Sequence, residues 1–106
     1  MQTLDAQQLQ EMKNTNQDHL LVNTLPADKF DQTRIEGAIN IPQDQDDFVD
    51  QVAQQAGDKS KPIVVYCASE SCNSSEKAAK KLDRAGFEHV YDFAGGAQQW
   101  QECCSN

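Results

Sequence analysis

The sequence predicts an α/β fold: a central, mostly parallel sheet of about five strands with helices on both faces. Strand patterns alternate with helix patterns along the whole chain. The run Ile63-Val64-Val65-Tyr66 is unbroken and mostly β-branched, as suits a strand buried on both faces. A length of 106 residues suits a single domain, 1–106, with one modest core.

The first element is expected around Leu4, a short strand followed by a helix to Lys13, with Asp5 as N-cap and Leu9 and Met12 at helical spacing. A polar loop leads to His19–Asn23, a buried strand closed by Pro26. Between Pro26 and Arg34 a helical turn anchored by Phe30 is expected, and Gly37–Pro42 reads as turn, short strand and stop. Phe48, Val49 and Val52 place an amphipathic helix over 46–56, ending at Gly57. After Ile63–Tyr66 and a short loop, Asn73 and Glu76 resemble the two ends of a capping box, opening a helix whose apolar stripe is Ala78, Ala79, Leu82 and Ala85. Gly86 suits the position just past its end, with Phe87 packing back. His89–Phe93 alternates as a last strand, and a short helix around Gln98–Gln101 turns Trp100 inward. Cys103 and Cys104 then fall in a frayed tail.

A formal charge of −8 argues against nucleic acid or an anionic membrane as partner, since both require a basic surface. No apolar run is long enough to span a bilayer, and Met1–Ala6 lacks the features of a signal peptide, so a cytoplasmic location is expected. The cysteines at 67, 72, 103 and 104 form no disulfide framework. They also lack zinc-site spacing, and His19 and His89 complete no ligand motif, so neither metal nor cofactor is expected. In a parallel sheet ligands bind beyond the carboxyl ends of the strands, which is where Cys67 lies.

Three segments in order carry a family resemblance: Arg34–Pro42 (RIEGAINIP), Ile63–Cys67 (IVVYC), and Gly86-Phe87 with Val90–Gly96 and Trp100. Together they resemble the rhodanese, or sulfurtransferase, family over nearly the whole chain. The resemblance implies a three-layer α/β/α fold and a sulfurtransferase that moves sulfane sulfur through a persulfide on Cys67. Catalytic Cys67 would sit in a substrate-binding loop of Ala68, Ser69, Glu70, Ser71, Cys72 and Asn73. The partners implied are a small sulfane-sulfur donor and a thiol, cyanide or protein acceptor.

Backbone N–H groups of residues 68–73 and the N-terminal end of the following helix are expected to face the Cys67 sulfur, making Cys67 more acidic than Cys72. Ser69, Ser71 and Ser74 could add hydroxyl donors. Three features depart from the family pattern: Cys72 stands where an arginine usually closes the loop, Glu70 where glycine is common, and Asn23-Thr24-Leu25 where Asp-x-Arg is frequent. Thiosulfate, a dianion, should therefore be a weak substrate. Cys72 is either an incidental replacement or a resolving thiol. The competing readings are a Cys67–Cys72 redox or sensing module and a non-catalytic interaction domain. A phosphatase of related fold is disfavoured, since no arginine lies between Cys67 and Ser75 to clamp phosphate.

Overall fold

The computed structural model describes residues 2–69 and 71–104. In chain order the elements are β1 (Gln2–Leu4), α1 (Ala6–Asn14), β2 (Leu20–Asn23), α2 (Ala27–Thr33), β3 (Ile39–Asn40), α3 (Phe48–Ala56), β4 (Ile63–Tyr66), α4 (Ser74–Arg84), β5 (Val90–Phe93) and α5 (Gly96–Cys104). The five strands pair in the order β1-β5-β4-β2-β3, and every pairing is parallel. The expected parallel sheet, with Ile63–Tyr66 at its centre, is therefore what the chain forms.

Alternation along β4 separates two cores. Val64 and Tyr66 pack with Leu9, Met12, Phe93, Ala97 and Trp100 under α1 and α5. Ile63 and Val65 pack with Phe48, Val52, Ala78, Ala79 and Leu82 under α3 and α4. All four β4 side chains are fully buried, which explains why the run shows no polar alternation.

Local signals set the helix ends. Asp5 caps α1 by accepting from the Gln8 amide at 2.8 Å, and Gln8 Oε1 accepts from the Asp5 amide at 2.9 Å. α3 begins at Phe48, two residues inside the expected start, and ends at Gly57 with φ +89°. Gly86, with φ +95°, ends the turn after α4, and the Phe87 amide returns to the Leu82 carbonyl at 3.3 Å. Asn73 does not cap α4: its side chain makes no cap hydrogen bond, so the proposed box with Glu76 does not form. The turn expected after Pro26 is a full helix, α2. α5 reaches Cys104, so Cys103 and Cys104 lie in a helix rather than a frayed tail. Buried Ala97 and Trp100 anchor it, and no proline or glycine interrupts the segment after Gly96.

Tyr66 ties β4 to the segment after α2. Its hydroxyl accepts from the Ile35 amide at 3.0 Å and donates to the Thr33 carbonyl at 2.8 Å. Tyr66→Phe is expected to lose about 1–2 kcal/mol, because it strips a buried amide of its acceptor. Urea unfolding of the two proteins measures the difference, and equal midpoints would show that another group replaces the hydroxyl.

Candidate functional site

Parallel strands end on one side of the sheet, so the segments after β2, β4 and β5 meet there. Thr24 follows β2, Cys67 follows β4, and Gly95-Gly96 follow β5 into α5. Neutral hydrogen bonds hold the end of β2, as Asn23-Thr24-Leu25 offers no ion pair. Thr24 Oγ1 reaches the Tyr66 carbonyl at 3.1 Å and Ser74 Oγ at 3.0 Å. Asn23 Nδ2 donates to Thr33 Oγ1 at 2.9 Å, and Asn23 Oδ1 accepts from the Leu25 amide at 3.0 Å. The strand is thus fastened to the start of α4 without a charged group.

α5 holds the other side of the loop. Its first amides, Ala97 and Gln98, donate to the carbonyls of Cys67 and Ala68, both at 2.9 Å. Gly96 permits this approach. It adopts φ +64°, and a Cβ there would lie 2.5 Å from the Cys67 carbonyl oxygen and 2.9 Å from the Ser69 amide nitrogen. No local sequence motif singles out Gly96 for this role, because the contact spans the fold.

Cys67 is fully buried, whereas Cys72 is partly exposed; both are free thiols. Cys67 Sγ lies 3.3 Å from the Cys72 carbonyl oxygen, 3.6 Å from Ser75 Oγ and 3.9 Å from the Ser69 carbonyl oxygen. The two thiols also lie close enough to influence each other's ionisation. The loop folds back through a turn in which the Cys72 amide donates to the Ser69 carbonyl at 3.0 Å.

The acidity of the pair is the reverse of the sequence expectation. Burial pushes the Cys67 thiol up, and contact with Cys72 adds to this, against the Ser75 amide and hydroxyl. Burial also opposes ionisation of Cys72, but the other contacts outweigh it. Hydrogen bonds from Cys67 and from the Ser74 and Ala68 amides, with the Lys77 ammonium nearby, hold Cys72 below the ordinary thiol value. The converging amides therefore serve the Cys72 sulfur more than that of Cys67. A sequence places a helix start near a cysteine, but it does not say which of two sulfurs the amides face.

The expected hydroxyls are also displaced. Ser69 and Ser71 bond to each other at 3.0 Å on the exposed side, and Ser74 is engaged by Thr24. Ser75, which the sequence reading passed over, is the hydroxyl at Cys67 Sγ. Asn73 serves through its backbone, whose carbonyl accepts from the Lys77 amide at 3.1 Å. Glu70, expected in the substrate-binding loop, lies outside the described residues. Among the described residues no group of three or more His, Cys, Asp or Glu could hold a metal ion. No helix there is long and apolar enough to cross a membrane.

Asp92 was also missed. It pairs with Val65 across β4 and β5, is 4% exposed, and leaves Oδ1 without a hydrogen-bond partner among the described residues. Burial raises its pKa and Glu76 adds to the rise, against a hydrogen bond from Ser75. A carboxyl raised on folding favours the native state most at acid pH, and that advantage is lost as pH climbs through the raised value. Asp92→Asn should therefore stabilise the fold at pH 7, by about 1 kcal/mol, with the gain shrinking as pH falls through the raised value toward the ordinary carboxyl range. Urea unfolding across pH tests this; a variant weaker than wild type at pH 7 would reject it.

A rhodanese-like domain model matches residues 5–103. The chain is 34% identical over 89 residues to the adenylyltransferase and sulfurtransferase UBA4 of Meyerozyma guilliermondii, covering 80% of this chain and 20% of that protein. It thus spans about a fifth of the first curated relatives it matches. It is 27% identical over 84 residues to the thiosulfate sulfurtransferase GlpE of Coxiella burnetii, covering 79% of this chain and 73% of GlpE. Among solved structures, the rhodanese-like domain of Anabaena Alr3790 superposes with a TM-score of 0.82 at 27% identity, covering 98% of this chain and 76% of that one. Sequence motifs, strand order and these likenesses agree that the chain belongs to the rhodanese-like domain family.

Proposed function

We propose that this chain is a sulfurtransferase that carries sulfane sulfur as a persulfide on Cys67. The observation that carries the reading is the position of Cys67 at the carboxyl end of the central strand, with a second thiol of opposite acid–base character beside it. Cys72, held low, can take the Cys67 proton. That leaves a Cys67 thiolate beside a neutral Cys72, with no charge added to the buried site. The thiolate attacks the outer sulfur of a donor, the donor's S–S bond breaks, and its remaining part leaves with the electron pair. A thiol or cyanide then removes the sulfur from the persulfide.

Cys67 is fully buried, so a donor must be compact enough to enter the loop. A small donor fits that requirement. The test is intact mass after incubation with inorganic polysulfide, followed by peptide mapping. A cyanide-labile gain of about 32 Da on Cys67 is expected. No gain on Cys67 in either the wild-type chain or Cys72→Ser, or a gain confined to Cys103 or Cys104, would reject the reading.

Thiosulfate should be a poor donor, because the protein is strongly acidic and Cys72 supplies no fixed positive charge. Cys72→Arg should raise kcat/KM for thiosulfate about ten- to a hundred-fold, the worth of one charge-assisted contact. The thiosulfate–cyanide assay measures this, and unchanged values would show that loop charge is not limiting.

A further inference from the structure

We propose that Cys72 discharges the persulfide on Cys67 internally, so that the domain also releases sulfide from sulfane donors. The Cys72 sulfur attacks Cys67 Sγ, and the bond from Sγ to the outer sulfur breaks. A Cys67–Cys72 disulfide forms, and the outer sulfur leaves as hydrosulfide with the proton that Cys72 held. Sulfane sulfur is reduced and the two cysteines are oxidised. An external dithiol restores both thiols and becomes a disulfide itself.

Three independent features support this step, which rests on the persulfide reading. The first is proximity: Cys67 Sγ lies 3.3 Å from the Cys72 carbonyl oxygen, and the two thiols influence each other's ionisation. An attacker held at its target needs no encounter, whereas an external thiol must first reach a fully buried residue. The second is the backbone, which returns Cys72 toward Cys67 through the Ser69–Cys72 turn. The third is the nature of the attacking sulfur. The Ala68 and Ser74 amides and Lys77 favour the Cys72 thiolate, against the burial that opposes it. An attacking thiol works best when it ionises near the ambient pH without being strongly acidic.

Other ionisable groups bear on the pair from its surroundings. Asp92 on β5 reaches toward it through Ser75, and Glu76 on α4 disfavours negative charge at Asp92.

The experiment uses the full chain with Cys103 and Cys104 replaced by Ser, reduced and desalted. It is loaded briefly with inorganic polysulfide, desalted again, and followed without any added thiol. With Cys72 present, the gain of about 32 Da should give way to a loss of about 2 Da, mapped to a Cys67–Cys72 bridge, with stoichiometric sulfide. Cys72→Ser and Cys72→Ala should keep the added sulfur and release at least ten-fold less sulfide. Persistence of the persulfide beside an intact Cys72 would overturn the inference while leaving the sulfurtransferase reading in place. Equal sulfide release from the Cys72 variants, or a bridge formed without sulfide, would also overturn it. Failure of Cys67 to load in any of the proteins would instead count against the persulfide reading itself.

Discussion

Cys67→Ser should abolish sulfur loading and reduce thiosulfate–cyanide turnover by at least about a thousand-fold, to the uncatalysed background. The expectation follows from the chemistry of the atom. A serine hydroxyl ionises far above neutral pH and forms no stable bond to sulfane sulfur. The other thiol of the loop, Cys72, is partly exposed and the more acidic of the pair, so it offers the obvious bypass. Its location argues against that bypass. Cys72 lies on the loop, whereas Cys67 follows the central strand and is held by the first turn of α5 and by Ser75. Loss of Cys67 also removes an interaction that favours the Cys72 thiolate. Turnover that survives Cys67→Ser and disappears in Cys67→Ser/Cys72→Ser would move the persulfide to Cys72. Survival in both would end the sulfur-carrier reading. The substitution replaces one small buried group by another, so an unchanged melting temperature would show that lost turnover reflects lost chemistry.

How much of this was legible in the sequence depends on the distance over which each feature is determined. Ile63–Tyr66 announces a central strand because burial on both faces demands an unbroken apolar run, and the sheet order agrees. Gly57 and Gly86 end their helices because only a residue tolerant of positive φ fits there. The position of Cys67 at a strand end is equally local. The environment of its sulfur is not. Asp92 enters that environment only because β5 pairs with β4 in a register that sets Asp92 beside Val65. Ser75, and not its neighbour Ser74, faces the thiol because Thr24, fifty residues earlier, engages Ser74. The inversion of acidity between Cys67 and Cys72 has the same origin. A strand-to-helix loop supplies amides, but its path decides whether they meet the first sulfur or the second. Asn73 shows the opposite failure: a local capping pattern is present, and the loop geometry leaves it unused.

Gly96→Ala should be the most damaging single methyl added to this protein. The residue adopts φ +64°, where an alanine costs about 1–2 kcal/mol before any contact is counted. The new Cβ would also meet backbone atoms: the Cys67 carbonyl oxygen at 2.5 Å and the Ala68 carbonyl carbon at 2.9 Å. A side chain could swing aside, but these atoms belong to the loop that carries the site. Relief requires the loop and the start of α5 to separate, which lengthens the two hydrogen bonds from Ala97 and Gln98. A total loss on the order of 3 kcal/mol is expected, together with a fall in sulfur transfer beyond that explained by unfolding. Gly95→Ala is the matched control. Its Cβ would approach Gln99 side-chain atoms at 2.5–2.7 Å, and Gly95 shows no positive φ. The far end of the glutamine can rotate away, at the cost of its 3.0 Å hydrogen bond from the Ala6 amide, but its Cβ moves only with the α5 backbone, so a loss of about 1–2 kcal/mol is expected. Urea unfolding and loading rates for both variants, measured at a temperature where each is folded, compare the two sites. Equal behaviour would mean that the loop moves freely against α5, and that the geometry around Cys67 is set by α4 alone.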